Sequence, residues 1–145
     1  MASDHKDYSG TPLPKKLGIR DGSRVLLVNA PDGFEPLLTP MPDGANVLKK
    51  IATPLDVAVL FATERAELIR WFDELAASID TSGRLWVAWP KKASKVATDV
   101  DFGFAQGIGL DAGLVDNKSA SITDVFQGLQ FVVRVKDRQK DRPKP

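Results

Sequence analysis

The sequence predicts a single three-layer α/β domain whose mostly parallel sheet ends in a C-terminal antiparallel hairpin. Three observations lead there. Compact apolar runs of strand length occur at residues 24–29, 55–61 and 84–89. Between the second and third lies an apolar helical stripe, Leu68, Phe72, Leu75 and Ile79. Two further strands, near 114–122 and at 129–135, stand close enough in sequence to pair as a hairpin. Alternating strands and helices argue for right-handed βαβ units, and 145 residues suffice for one core.

Taken in order, Thr11-Pro12 followed by Gly18 brackets one short helix, with Thr11 as its cap. Asp21-Gly22 turns into the first strand, and residues 34–38 form a short helical segment after it. Pro42-Asp43-Gly44 leads to a weak strand at about 46–51. Only a few residues join this strand to the strong one at Leu55. Either a bare loop carries the chain across the sheet or the weak strand pairs in the other direction. Thr63 is the expected cap of the amphipathic helix, with Glu64 and Glu67 near its positive end. That helix is expected to stop at Asp80-Thr81-Ser82-Gly83, and a looser, glycine-weakened one to run from Thr98 or Asp99 towards Gly113.

Composition narrows the chemistry. The chain has no cysteine, which excludes disulfides, thiol nucleophiles and cysteine-based metal sites. Its single histidine, His5, lies in a polar stretch, so neither a Ser-His-Asp triad nor a histidine metal cage is available within one chain. No apolar run is long enough to span a bilayer and the first residues are too polar for a secretory signal, so the protein is expected in the cytoplasm without a membrane partner. Residues 1–7 are expected to be disordered and 8–135 to form the domain. Residues 136–145 read as a disordered basic tail with five basic and two acidic residues; against a net charge of +1 they leave the body slightly acidic. Nucleic acid is not an expected partner; an anionic small molecule or a protein is.

The order of strong strand, helix, Gly turn, strand, loose helix and hairpin resembles the second half of the class I methyltransferases. Asp56-Val57-Ala58-Val59-Leu60 and Ser82-Gly83-Arg84-Leu85-Trp86-Val87 sit where that family places its fourth and fifth strands. The resemblance implies a Rossmann-like, methyltransferase-like sheet over residues 24–135. The strings Ala-Pro-Asp-Gly-Phe (30–34), Thr-Glu-Arg-Ala-Glu-Leu (63–68), Leu-Trp-Val-Ala-Trp-Pro-Lys-Lys (85–92) and Gly-Leu-Val-Asp-Asn-Lys (113–118) also resemble a family of small bacterial proteins of unknown function. Two places depart from the methyltransferase pattern. The loop after the first strand carries Pro31 in place of a glycine-rich turn, and the weak strand ends in Lys49-Lys50 without a carboxylate for ribose hydroxyls. No cofactor is therefore expected.

In open α/β sheets ligands sit beyond the carboxyl ends of the strands. Three loops meet there and supply the candidate ligand-binding residues Asn29, Asp32, Gly33, Thr63, Trp89, Lys91, Lys92 and Ser94. Asn29 and Asp32 offer hydrogen bonds to a polar ligand, although Pro-Asp-Gly is also an ordinary turn. Lys91, Lys92 and Ser94 bring charge and a hydroxyl to a strand end, where anions are favoured, or form a solvated loop. Trp89 supplies an aromatic wall or fills the core. Gly103, Gly107 and Gly109 lack the preceding strand that a dinucleotide fingerprint requires, and Asp99 and Asp101 have a helix-dipole reason to be where they are, so neither group is assigned a ligand or metal. With no acid, base or nucleophile constellation and no catalytic residue assigned, the leading expectation is a non-catalytic binding or regulatory module. The alternative is a small S-adenosylmethionine- or nucleotide-dependent transferase.

Overall fold

A computed structural model of the chain describes residues 11–138. The disordered segment expected at 1–7, with His5, and residues 139–145 of the expected tail lie outside the described residues. Six strands form one sheet: β1 (Arg24–Val28), β2 (Asn46–Leu48), β3 (Leu55–Phe61), β4 (Ile79–Pro90), β5 (Leu114–Ser121) and β6 (Phe126–Val133), in the order β2-β1-β3-β4-β6-β5. The first four are parallel, β6 runs antiparallel to β4, and β5 runs antiparallel to β6. The α/β class, the mostly parallel sheet and the closing hairpin are as expected. The carboxyl ends of β1 to β5 therefore share one end of the sheet with the start of β6.

Both faces are covered, which is why β3 reads as an unbroken apolar run rather than an alternating one. On one face, helices α2 (Arg65–Ser78) and α3 (Phe102–Asp111) bury Leu68, Phe72, Leu75 and Ala105 against Leu60, Val87 and Phe131. The Phe72 and Phe131 rings meet edge to face at 5.6 Å. On the other face, α1 (Leu13–Leu17) and the 3₁₀ turn Glu35–Leu38 bury Leu17, Phe34 and Leu38 against Val59, Trp86 and Ala88. Trp86, fully buried, donates its indole N–H to the Leu17 carbonyl at 3.0 Å and so ties the end of α1 to the sheet.

Several boundaries differ from expectation. The weak strand is three residues long and parallel to β1 at the sheet edge, so residues 49–54 cross as bare loop. The shortness of β2 makes this feasible: Leu48 lies level with Leu26, about three strand residues above the start of β3. The return of roughly 10 Å along the strands and 10 Å across two strand spacings is within six residues' reach. Glu64, not Thr63, caps α2, in a reciprocal capping box with Glu67. Residues 80–83 do not end in a turn but open β4, whose pairing with β3 is irregular between Leu55 and Val57. A side chain at Gly83 would press to 2.8 Å from the Leu55 carbonyl oxygen, which explains the glycine. Helix α3 starts only at Phe102, because Asp101 caps it through the Phe104 N–H at 2.8 Å.

The α3 glycines give a paired stability prediction. Alanine is preferred to glycine in a helix by about 1 kcal/mol. At Gly107 no atom opposes a new methyl group, so Gly107→Ala should stabilise the domain by about 0.5 to 1 kcal/mol. At Gly109 the methyl group would overlap the Phe131 ring, and overpacking outweighs propensity. Gly109→Ala should destabilise by about 1 to 2 kcal/mol, read as opposite shifts of the two urea midpoints.

Candidate functional site

The structure separates the sequence-derived site residues into two groups. The first surrounds the carboxyl ends of β1 and β3. Asn29 leaves β1 in the left-handed region (φ 60°) and its side-chain amide donates to the Phe61 carbonyl at 3.4 Å. The chain then turns through Pro31-Asp32-Gly33, closed by the Phe34 N–H donating to the Pro31 carbonyl at 3.1 Å, with Gly33 at φ 83°. Phe34 is driven into the core, against Phe61 at 4.8 Å between ring centroids, and this fixes the loop while Asp32 and Gly33 stay exposed.

Thr63 sits beside this loop in a different electrostatic setting. Its N–H donates to Glu67 Oε1 at 2.9 Å, as does that of Glu64 at 3.2 Å, while the Arg65 N–H donates to Asp99 Oδ1 at 2.7 Å. The Thr63 carbonyl accepts from the Thr98 hydroxyl at 2.6 Å. The amides at the positive end of α2, ordinarily open to an anion, are thus taken by the protein's own carboxylates. Asp99 and Asp101 have the same structural occupation: Asp101 also lies 3.8 Å from the Arg65 guanidinium, and no cluster of three metal-type ligands occurs among the described residues.

The second group lies beyond β4 and β5. Trp89, Lys91 and Lys92 line a cavity of about 980 Å³ that also receives Lys15, Lys16, Phe102, Lys118 and Ser121. The Lys91 ammonium donates to the Ser121 hydroxyl at 2.6 Å and that of Lys16 to the Ser121 carbonyl at 3.0 Å. Lys118 donates to the Lys16 carbonyl at 3.0 Å. None of these lysines has a carboxylate partner among the described residues. Ser94 does not line this cavity. Its hydroxyl donates to the Lys91 carbonyl at 2.7 Å and accepts from the Val96 N–H at 3.2 Å, closing the turn Lys92–Ser94. Sequence reasoning missed Lys15, Lys16 and Lys118. They belong to α1 and β5, and no local motif links either to Lys91.

No protein-family model and no curated protein sequence matches the chain, and the likeness to the small bacterial family finds no support. Similar solved structures do exist. Magnesium protoporphyrin IX methyltransferase from Synechocystis PCC 6803, with bound SAH, superposes with a TM-score of 0.54 at 13% identity over 79% of this chain and 75% of its own. A SAM-dependent methyltransferase from Aquifex aeolicus gives a TM-score of 0.54 at 17% identity, over 83% and 87%. The chain has a methyltransferase-like Rossmann fold. An O-methyltransferase from neocarzinostatin biosynthesis, in complex with SAM, gives 0.58 at 12% identity; 78% of the methyltransferase-like domain matches about half (49%) of that longer chain. These structures overturn the expectation of no cofactor, since similar folds hold SAM or SAH. Among the described residues, no helix is long and apolar enough to cross a membrane.

Partial burial, then the charges of Lys91 and Lys118, hold the Lys16 amine below its ordinary value of 10.5. Between the lowered value and 10.5 the unfolded chain binds more protons at this position than the folded one. Stability from Lys16 should therefore rise with pH across that window. Unfolding in urea at stepped pH should show the rise in the parent protein and a flatter profile in Lys16→Gln.

Proposed function

We propose that this domain is a small transferase-type protein of the cytoplasm that binds an S-adenosylmethionine-type ligand at the carboxyl ends of β1 and β3. The observation that carries this reading is the form of the β1 loop. Left-handed residues Asn29 and Gly33 turn it outward, the N–H groups of Asp32 and Gly33 donate to nothing among the described residues, and the space over Gly33 is open. The Asp32 carboxylate and these two amides, without partners among the described residues, suit a ligand with hydroxyl, ammonium and carboxylate groups. The ligands of the similar methyltransferases support the same choice.

Two features differ from a glycine-rich nucleotide cradle. Pro31 removes one donor, and Lys49 and Lys50 stand at the end of β2, which leaves Asp32 as the carboxylate of this loop for hydroxyl groups. When bound, such a ligand would supply a transferable methyl group. The chain's own part would be to hold it: Asp32 accepting hydrogen bonds from hydroxyl groups, the Asp32 and Gly33 amides donating to the carboxylate, and Asn29 keeping the loop against β3.

Thermal unfolding with SAM and SAH tests this. At about 100 times its dissociation constant a ligand adds roughly 2.7 kcal/mol, a rise of several degrees for a domain of this size. Asp32→Ala should abolish the rise and Lys49→Ala should leave it. No rise with either compound would overturn the reading, and a rise without methyl transfer to any acceptor would return the domain to the binding-module class.

A further inference from the structure

We propose that the lysine-lined cavity beyond β4 and β5 binds a small molecule carrying two or more phosphate or carboxylate groups on a flat ring. This site shares no residue with the β1 and β3 crevice and does not rest on the reading given for it.

The first argument is charge. Lys16 from α1 and Lys91 from the end of β4 both reach Ser121, at 3.0 and 2.6 Å, and Lys118 from β5 reaches the Lys16 carbonyl at 3.0 Å. Ammonium groups gathered in one place repel, and more strongly near a protein surface than in bulk water. Exposed lysines with long flexible stems ordinarily relieve such repulsion by turning into solvent. Here three converge, with Lys15 and Lys92 on the same walls, and no carboxylate among the described residues neutralises them. Carbonyl and hydroxyl oxygens satisfy the hydrogen bonds but not the charge. A multiply charged anion supplies what is missing, and the lowered proton affinity of Lys16 fits an amine awaiting a counter-charge.

Shape and apolar surface narrow the ligand. At about 980 Å³ the cavity is at the upper end of the small-molecule range. Its wall includes Phe102, 47% exposed at the start of α3, with Trp89 buried behind. An exposed aromatic beside clustered cations suits a ring that stacks while its anionic groups meet the lysines. A nucleic acid fits less well: the lysines converge in a concavity instead of tracking a strand, and the net charge of the whole chain is only +1.

Calorimetric titration with inorganic pyrophosphate and with 1-naphthyl phosphate tests the proposal, neither probe having an adenosyl group. Both should bind, more weakly as salt rises. Lys91→Gln and Lys118→Gln should each weaken binding about tenfold, the loss of one charge-assisted hydrogen bond. Lys49→Gln should leave binding unchanged. Phe102→Ala should weaken 1-naphthyl phosphate severalfold while sparing pyrophosphate. If Lys118→Gln unfolds, as circular dichroism would show, Lys91→Gln decides, since its ammonium bonds only a side-chain hydroxyl. Absence of binding by both probes overturns the proposal. So does affinity untouched in the lysine variants, or binding by a single-stranded oligonucleotide where both small anions fail. Loss of SAM binding in Asp32→Ala with pyrophosphate binding intact would separate the two sites.

Discussion

The contact between Trp86 and the end of α1 is the constraint on which the rest of this structure turns. Trp86 occupies the middle of β4, and its ring fits because Gly128 on β6 has no side chain; a methyl group there would lie 3.0 Å from the ring. Its indole N–H meets the Leu17 carbonyl, a buried acceptor that would otherwise cost about 1 to 3 kcal/mol unpaired. That bond holds a five-residue helix with little stability of its own against the sheet. With α1 held, the Lys16 ammonium reaches the Ser121 carbonyl at the end of β5, and the Lys118 ammonium lies 5.9 Å over the same Trp86 ring.

The carboxyl ends of the strands divide their electrostatics between two separate places. Beside β3, Glu67 and Asp99 occupy the amides that open α2, so the positive end of that helix is already satisfied. Beyond β4, the ammonium groups of Lys16, Lys91 and Lys118 meet only neutral oxygens among the described residues. An anion at this end of the sheet is therefore drawn away from α2 and towards Lys16, Lys91 and Lys118. The β1 loop is electrostatically intermediate, with two amides and one carboxylate unpartnered among the described residues, which suits a ligand bearing both signs of charge.

The regular core was legible because apolar periodicity is a local property. The strand at Leu55–Phe61, the Leu68, Phe72 and Leu75 stripe and the hairpin all follow from residues close in sequence. Boundaries were less legible where distant groups compete for the same backbone. Thr98 and Asp99 read as a helix cap, yet they bond Thr63 and Arg65 across the domain, leaving the role to Asp101. Asp80 to Gly83 read as a turn, yet pairing with β3 extends them into β4.

Sequence alone determined the class of fold, the number of strong strands and the exclusion of cysteine chemistry, because composition and short-range periodicity report directly on burial. It also singled out Lys91 and Lys92, since a basic run after a strand is visible as such. Tertiary structure decided that Lys16, 75 residues from Lys91 in the numbering, joins it at Ser121, that Lys118, 27 residues from Lys91, reaches the Lys16 carbonyl, and that Ser94 closes a local turn instead. The reason is physical: the convergence of charges depends on which strand edges and helix ends the packed core brings together, and Trp86 makes that decision through contacts that no local pattern encodes.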